Sequence, residues 1–154
     1  MNALGGDKSS LWHIEFYEDV NGRRPAQSWM ESLNDIKFAA LDAAITHVLE
    51  VDGMNLAQTR WLKSLGGGLH EFRIRHTSEQ IKRLYVLAGE VGPRHASKIL
   101  LRVFVHFHGA KVILLIGGYD KGVANSDRHQ QQEIAHARKL LAEWRRRAAG
   151  LKHD

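Results

Sequence analysis

Apolar and polar positions alternate over residues 12–20, with Trp12, Ile14 and Phe16 on one side and His13, Glu15 and Tyr17 on the other. That is the period of a half-buried strand. A second strand-like run covers 69–75, and the period returns over 99–108, where Leu101, Val103, Val105 and Phe107 share one face and Arg102, Phe104, His106 and His108 the other. Gly109-Ala110 turns the chain into a strand-like run at 111–116, apolar from Val112, which predicts an antiparallel hairpin. Helical spacing fills the gaps. Pro25 suits the first position of a short helix over 25–33, with Trp29 and Leu33 on one face. Asn34 or Asp35 caps a second helix in which Phe38, Leu41, Ile45 and Val48 repeat at intervals of three and four until Gly53 stops it. The two make a helical hairpin. After a connector, residues 61–65 lead into Gly66, Gly67 and Gly68, which permit a tight turn into the strand at 69. Ile81, Leu84, Tyr85 and Ala88 predict a short helix over 79–88, followed by a Gly-Pro loop through Ser97. Asp127 caps the last helix, whose stripe is Ile134, Ala137, Leu141 and Trp144 and whose end carries Arg145, Arg146 and Arg147, favourably placed for the helix dipole. The predicted order is βααβ(α)ββα, an α+β chain.

At 154 residues with 44% apolar positions, the chain has the size and composition of one domain with its own core. The boundaries read as a tail over 1–11, a domain over 12–149 and a tail over 150–154. Lys and Arg number 22 against 17 Asp and Glu, a formal charge of +5, and ten His add to it wherever they protonate. A polyanionic partner fits that balance. The absence of Cys excludes disulfides, thiolate zinc sites and cysteine nucleophiles. No apolar leader opens the chain and no apolar run approaches the length of a bilayer span, so the protein is expected to be soluble and cytoplasmic.

The chemistry concentrates between Gly66 and Lys121. Arg73, Arg75, Arg102, His106 and His108 lie on strand-like runs, and Tyr119, Asp120 and Lys121 follow the last of them. Guanidinium and imidazole groups set into a sheet suit work on phosphates: Arg engages two phosphate oxygens through its planar fork, and His titrates near neutrality. Arg102 within an otherwise apolar strand is also explained by a salt bridge to Glu71 or Asp120. His106 and His108 lack a third ligand at a familiar spacing, so no metal is expected. Trp29, Trp61 and Trp144 are expected to fill the interior, and 145–147 to be a solvated helix end.

Lys63-x-Leu65-x-x-Gly68-Leu69-x-Glu71-Phe72-Arg73, then Leu101-Arg102-Val103, then Lys111-Val112-Ile113-Leu114-Leu115 leading to Lys121, and finally Glu133-Ile134-Ala135-x-Ala137-Arg138, form an ordered set. The set resembles the RelE/ParE superfamily of toxin–antitoxin toxins, in its phage-derived, HigB-like branch, over residues 12–147. The resemblance implies a small antiparallel-rich sheet packed against the N-terminal helical hairpin, with a C-terminal helix. It implies a metal-independent, cofactor-free endoribonuclease that cleaves messenger RNA on the ribosome by attack of a 2′-hydroxyl on the adjacent phosphodiester. It implies silencing by a cognate antitoxin, a helix-turn-helix protein. Position by position, Arg73 and Arg102 match the arginines that hold the scissile phosphate, and Lys121 the cation near the leaving group. His106, on the face of Arg102, is the best proton-transfer candidate; Arg75, His108, Tyr119 as a base-stacking ring, and Glu71 as a brace complete the substrate-binding set. The chain departs from the family in an insert over 77–98 and in a lysine-rich stretch reduced to Lys121 and Arg128. Two alternatives share the scaffold: a ParE-like toxin that disables gyrase by binding, and a catalytically weak phage-encoded interaction module. Oligomeric state is left open.

Overall fold

The computed structural model describes residues 10–87, 89 and 98–152. Strands β1 (His13–Phe16), β2 (Leu62–Gly66), β3 (Leu69–His76), β4 (Ile99–His108) and β5 (Val112–Asp120) form one sheet in the order β1-β5-β4-β3-β2. Helices α1 (Pro25–Ser32) and α2 (Asp35–Ala44) follow β1; α3 (Ser78–Leu87) lies between β3 and β4, and α4 (Asp127–Lys152) closes the chain. The fold class is α+β with an antiparallel-rich sheet. The expected tail before residue 10 and the loop expected to Ser97 fall outside the described residues, apart from Gly89.

Alternation in β3 and β4 assigns the sheet two faces. Phe72, Ile74, Leu101, Val103 and Val105 point toward α1 and α2, where they are buried with Ala26, Leu41 and Leu49. Leu69 and Phe104 point the other way, into a second core with Tyr17, Leu114, Ile116 and Tyr119, closed by Ala137 and Leu141 of α4. The result is three layers, with α1 and α2 on one side of the sheet and α4 on the other.

Local departures from expectation have physical causes. β1 is shorter than 12–20 because Asp19 Oδ1 accepts from the backbone N–H groups of Asn21 and Arg23, both at 2.8 Å, and turns the chain. β1 also pairs in parallel with β5, so the sheet is mixed and not wholly antiparallel. β2 was not expected as a strand. It is a five-residue edge element with one buried side chain, Leu62, so it offers almost no periodic signal. The α2 stripe rotates because a π-helical stretch, Ile45–Leu49, inserts before the last turn Glu50–Asp52. Leu49 becomes fully buried while Phe38 stays 39% exposed. Asn34 is the cap of α2, its Oδ1 accepting from Lys37 N at 2.9 Å. For α4 the cap is Ser126, whose Oγ accepts from His129 N at 3.1 Å, with Asp127 in the first turn. α4 continues through Gly150 to Lys152, so its basic cluster does not end it and the boundary expected at 149 lies inside the helix.

Polar contacts lock α4 in place. The Arg138 guanidinium donates to Leu65 O and, at 3.0 Å, to Gly66 O. The Tyr17 hydroxyl donates to Glu143 at 2.7 Å, and Arg147 donates to Glu18 O at 2.6 Å while lying over the Tyr17 ring. No helix among the described residues is long and apolar enough to cross a membrane.

Two adjacent glycines in β5 test the packing. A Cβ on Gly118 would lie 2.4 Å from the Trp29 ring and 2.8 Å from Arg102 O, whereas one on Gly117 meets nothing within 4 Å. Gly118→Ala is expected to cost about 1–3 kcal/mol by forcing α1 off the sheet. Gly117→Ala should change stability by less than about 0.5 kcal/mol. Urea unfolding of both variants checks the contrast; equal effects would contradict this docking of α1.

Candidate functional site

α4 covers only part of its sheet face. Its apolar stripe packs on Phe104 and Tyr119, and beside these rings and further along β3 and β4 the face carries Glu71, Arg73, Arg75 and Arg102. Arg73 and Arg102 are directly opposed across β3 and β4. Two like charges in that register repel, so the pair requires a counter-ion. Glu71 supplies it. Fully buried, its Oε1 accepts from Arg73 Nε at 3.0 Å and lies 3.5 Å from Arg102 Nε. The partner of Arg102 is therefore Glu71; Asp120 points to the other face and pairs with Lys37 at 2.5 Å.

One carboxylate does not balance the cations gathered here. A cavity of about 360 Å³ is lined by four arginines, Arg60, Arg73, Arg75 and Arg102, with Trp61, Thr77 and Gln80. Arg102 is 8% exposed, yet its Nε has no hydrogen-bond partner; its Nη1 donates only to Leu101 O at 3.3 Å. Burial lowers the Arg102 pKa from its ordinary value, and Glu71 opposes that shift. An arginine titrates so far above neutrality that it remains charged. Among the described residues, neither Arg60 nor Arg75 has a carboxylate partner. The cavity is thus an electropositive recess whose deepest guanidinium retains donor capacity, suited to a multivalent oxyanion.

The start of the expected insert builds one wall. Thr77 and Gln80 form a reciprocal capping box at the start of α3: Gln80 Oε1 accepts from Thr77 N at 2.8 Å, and Thr77 Oγ1 from Gln80 N at 3.2 Å. Trp61 builds another. Its carbonyl accepts from Arg73 N at 2.7 Å, its ring stacks on Phe72 with centroids 5.8 Å apart, and the Arg60 guanidinium lies over it at 5.5 Å. Trp61 is half-buried against the core as expected, but it also faces the cavity. Sequence reasoning missed Arg60, Trp61, Thr77 and Gln80 as site residues; a Thr-x-x-Gln ahead of an amphipathic run was the one legible signal.

The other expected site residues separate from this recess. Tyr119 lies beside Arg102 in register but is 4% exposed, stacked on Phe104 at 5.9 Å, so it is a core ring and not a base platform. Its hydroxyl is buried without a partner, and burial, reinforced by Glu71, pushes its pKa up to about 12. Lys121 follows β5, its N–H donating to Leu100 O at 2.9 Å opposite Arg75, and does not line the cavity. His106 shares a face with Arg102 but sits four residues along the strand, about 13 Å away. It is half-buried beneath α4, its ring 5.6 Å from Trp144 and its Nδ1 2.8 Å from Gly68 O. Because a carbonyl only accepts, Nδ1 carries the proton and Nε2 is free in the neutral ring. His108 lies further on, 4.6 Å from Trp144, with Nε2 3.5 Å from Glu15. The structure therefore brings together Arg73, Arg75, Arg102 and Glu71, and places both histidines in the seam between α4 and the sheet. Arg145 reaches the same seam at Gly68, so the basic cluster of α4 is only partly solvated.

Two expectations follow. Glu71→Gln leaves the buried Arg102 without its counter-charge and should destabilise the fold by on the order of 3 kcal/mol; a urea midpoint equal to that of wild type would show that Glu71 is not the organising ion. For His106, burial lowers the folded-state pKa, with Arg145 and His108 acting in the same direction and Gly68 against. A histidine whose folded pKa is depressed leaves the unfolded chain binding more protons, so stability is retained above the unfolded value of about 6.5 and lost as pH falls below it. His70 and His76 shift in the same direction, also by burial. Unfolding free energy should decline between pH 7 and 5, less steeply in His106→Asn; an unchanged slope in that variant would contradict the seam assignment.

No family model matches the chain, and no curated protein matches it.

Proposed function

We propose that the chain is a toxin of the RelE/ParE type, HigB-like, and that it acts as a metal-independent endoribonuclease on messenger RNA at the ribosome. The observation that carries this reading is the opposed pair Arg73 and Arg102, held on the open part of the sheet face by one buried carboxylate and lining a cavity with two further arginines. The sequence motifs at Gly68 to Arg73 and at Arg102, which resemble that superfamily, support it. An antitoxin with a helix-turn-helix is the partner this reading requires.

In the proposed reaction the ribose 2′ oxygen bonds to phosphorus, the bond from phosphorus to the 5′ oxygen breaks, the 2′ proton is lost and the 5′ oxygen gains one. The products are a 2′,3′-cyclic phosphate and a 5′-hydroxyl. Charge accumulates on the non-bridging oxygens in the phosphorane, which is where preorganised guanidinium donors act most strongly. Arg102 is the best placed of these, because its surroundings are driest and its position is fixed between Glu71 and the backbone. Arg73 shares the load across the strand pair, and Arg60 and Arg75 hold flanking phosphates. Among the described residues no imidazole or carboxylate lines the cavity, so both protons exchange with water in this scheme.

That same feature favours a second reading, a ParE-like toxin that uses the basic recess to grip gyrase without cutting anything. The two differ in what substitution does. In a reconstituted translation reaction, Arg102→Ala should lower the cleavage rate by about 100- to 1000-fold, and His106→Gln by no more than a few-fold. The rate should rise with pH through neutrality without levelling near the imidazole range. Loss of cleavage in folded His106→Gln would return proton transfer to the seam. Undiminished cleavage by folded Arg102→Ala would remove the assignment, and no cleavage by wild type would favour the gyrase-binding reading.

A further inference from the structure

A phosphate alone does not require an aromatic wall, yet the cavity has one. Trp61 lines it beside the arginines. Its main chain is held on both sides, the backbone N–H donating to Thr59 Oγ1 at 3.2 Å and the carbonyl accepting from Arg73 N, and Phe72 backs the indole. The hydrogen bond from Arg73 N to Trp61 O joins the two backbones, and both residues line the one cavity. The group lying over the ring is the Arg60 guanidinium, from an exposed side chain. A guanidinium over an indole is readily exchanged for another flat, electron-poor surface. The cavity, about 360 Å³, lies within the roughly 300–1000 Å³ usual for small-ligand sites and exceeds what one phosphate fills.

We infer that Trp61 is a nucleobase platform: a single-stranded RNA segment places one phosphate on Arg73 and Arg102 and stacks an adjoining base on Trp61, displacing Arg60 toward the next phosphate. The inference rests on the reading of the cavity as an RNA phosphate site and adds the nucleotide unit that it holds. Double-stranded RNA is excluded as the ligand, because its bases are already stacked on one another. Stacking of this kind tolerates every base, since each presents a π-face, so the platform grips the chain without selecting its sequence.

The probes are AMP, GMP, CMP, UMP, ribose 5-phosphate and inorganic phosphate, titrated into the full chain and followed by the indole N–H resonances, with Trp61 identified from Trp61→Phe. The four nucleotides should bind about 5- to 150-fold more tightly than ribose 5-phosphate and should move the Trp61 resonance above those of Trp12, Trp29 and Trp144. Trp61→Leu should erase that advantage and leave the affinity for ribose 5-phosphate unchanged. Equal binding of nucleotides and ribose 5-phosphate by wild type, weakened together in Arg102→Ala, would overturn the platform while the anion site stands. Binding of none of these probes would overturn the platform and the RNA reading with it. A dinucleotide with a 2′-deoxy linkage should bind at least as tightly as AMP; exclusion of the dinucleotide would mean a free-nucleotide pocket and would overturn the assignment to an RNA chain.

Discussion

A single buried carboxylate organises this molecule's open sheet face. Glu71 has no exposure to water and holds two opposed guanidinium groups that would otherwise repel across β3 and β4. The arrangement costs desolvation of three charges and leaves one carboxylate oxygen and the Arg102 Nε without hydrogen-bond partners. Replacing all three by apolar residues would extend the second core and let the sheet be covered more completely. A polar cluster that does not optimise the core, yet is fixed and under-neutralised, is the kind of compromise that binding sites retain.

The rest of the fold can be understood as support for that compromise. α1 and α2 bury Phe72, Ile74, Leu101 and Val103 on one face of the sheet, behind the stretch of β3 and β4 that carries the arginines. α4 buries the second face only as far as Phe104 and Tyr119, and its clamps at Gly66, Tyr17 and Glu18 fix where it stops. The recess lies on the uncovered stretch of that face, between the Arg60-Trp61 corner and the cap of α3. The histidines fall on the covered side of the same boundary, which is why residues sharing a strand face with Arg102 have a different environment from it.

Much of this was legible in the residues. Strand-like runs located β3 and β4, period-two alternation put Arg102, His106 and His108 on one face of β4, and the resemblance set Arg73 beside Arg102, with Glu71 one of two carboxylates expected as its partner; the glycine triplet marked the turn before β3. Alternation could not show how far along that face α4 extends, so His106 and Arg102 were grouped although about 13 Å separates them. Nor could it distinguish a ring that stacks on ligand from one that stacks on Phe104, which misplaced Tyr119. Trp61 escaped because it stands outside any periodic run, at the entry to an edge strand with one buried side chain. The parallel pairing of β1 is a matter of tertiary closure, on which a four-residue strand carries no information.

The measurement that bears most directly on the central claim is the mapping of new messenger RNA 5′ ends after brief induction of the protein in a bacterial host, beside the Arg73→Ala/Arg102→Ala variant. The account requires growth arrest with cuts confined to translated regions, both lost in a variant that accumulates as folded protein. Arrest that persists in the variant, or that proceeds with no new 5′ ends, would contradict it.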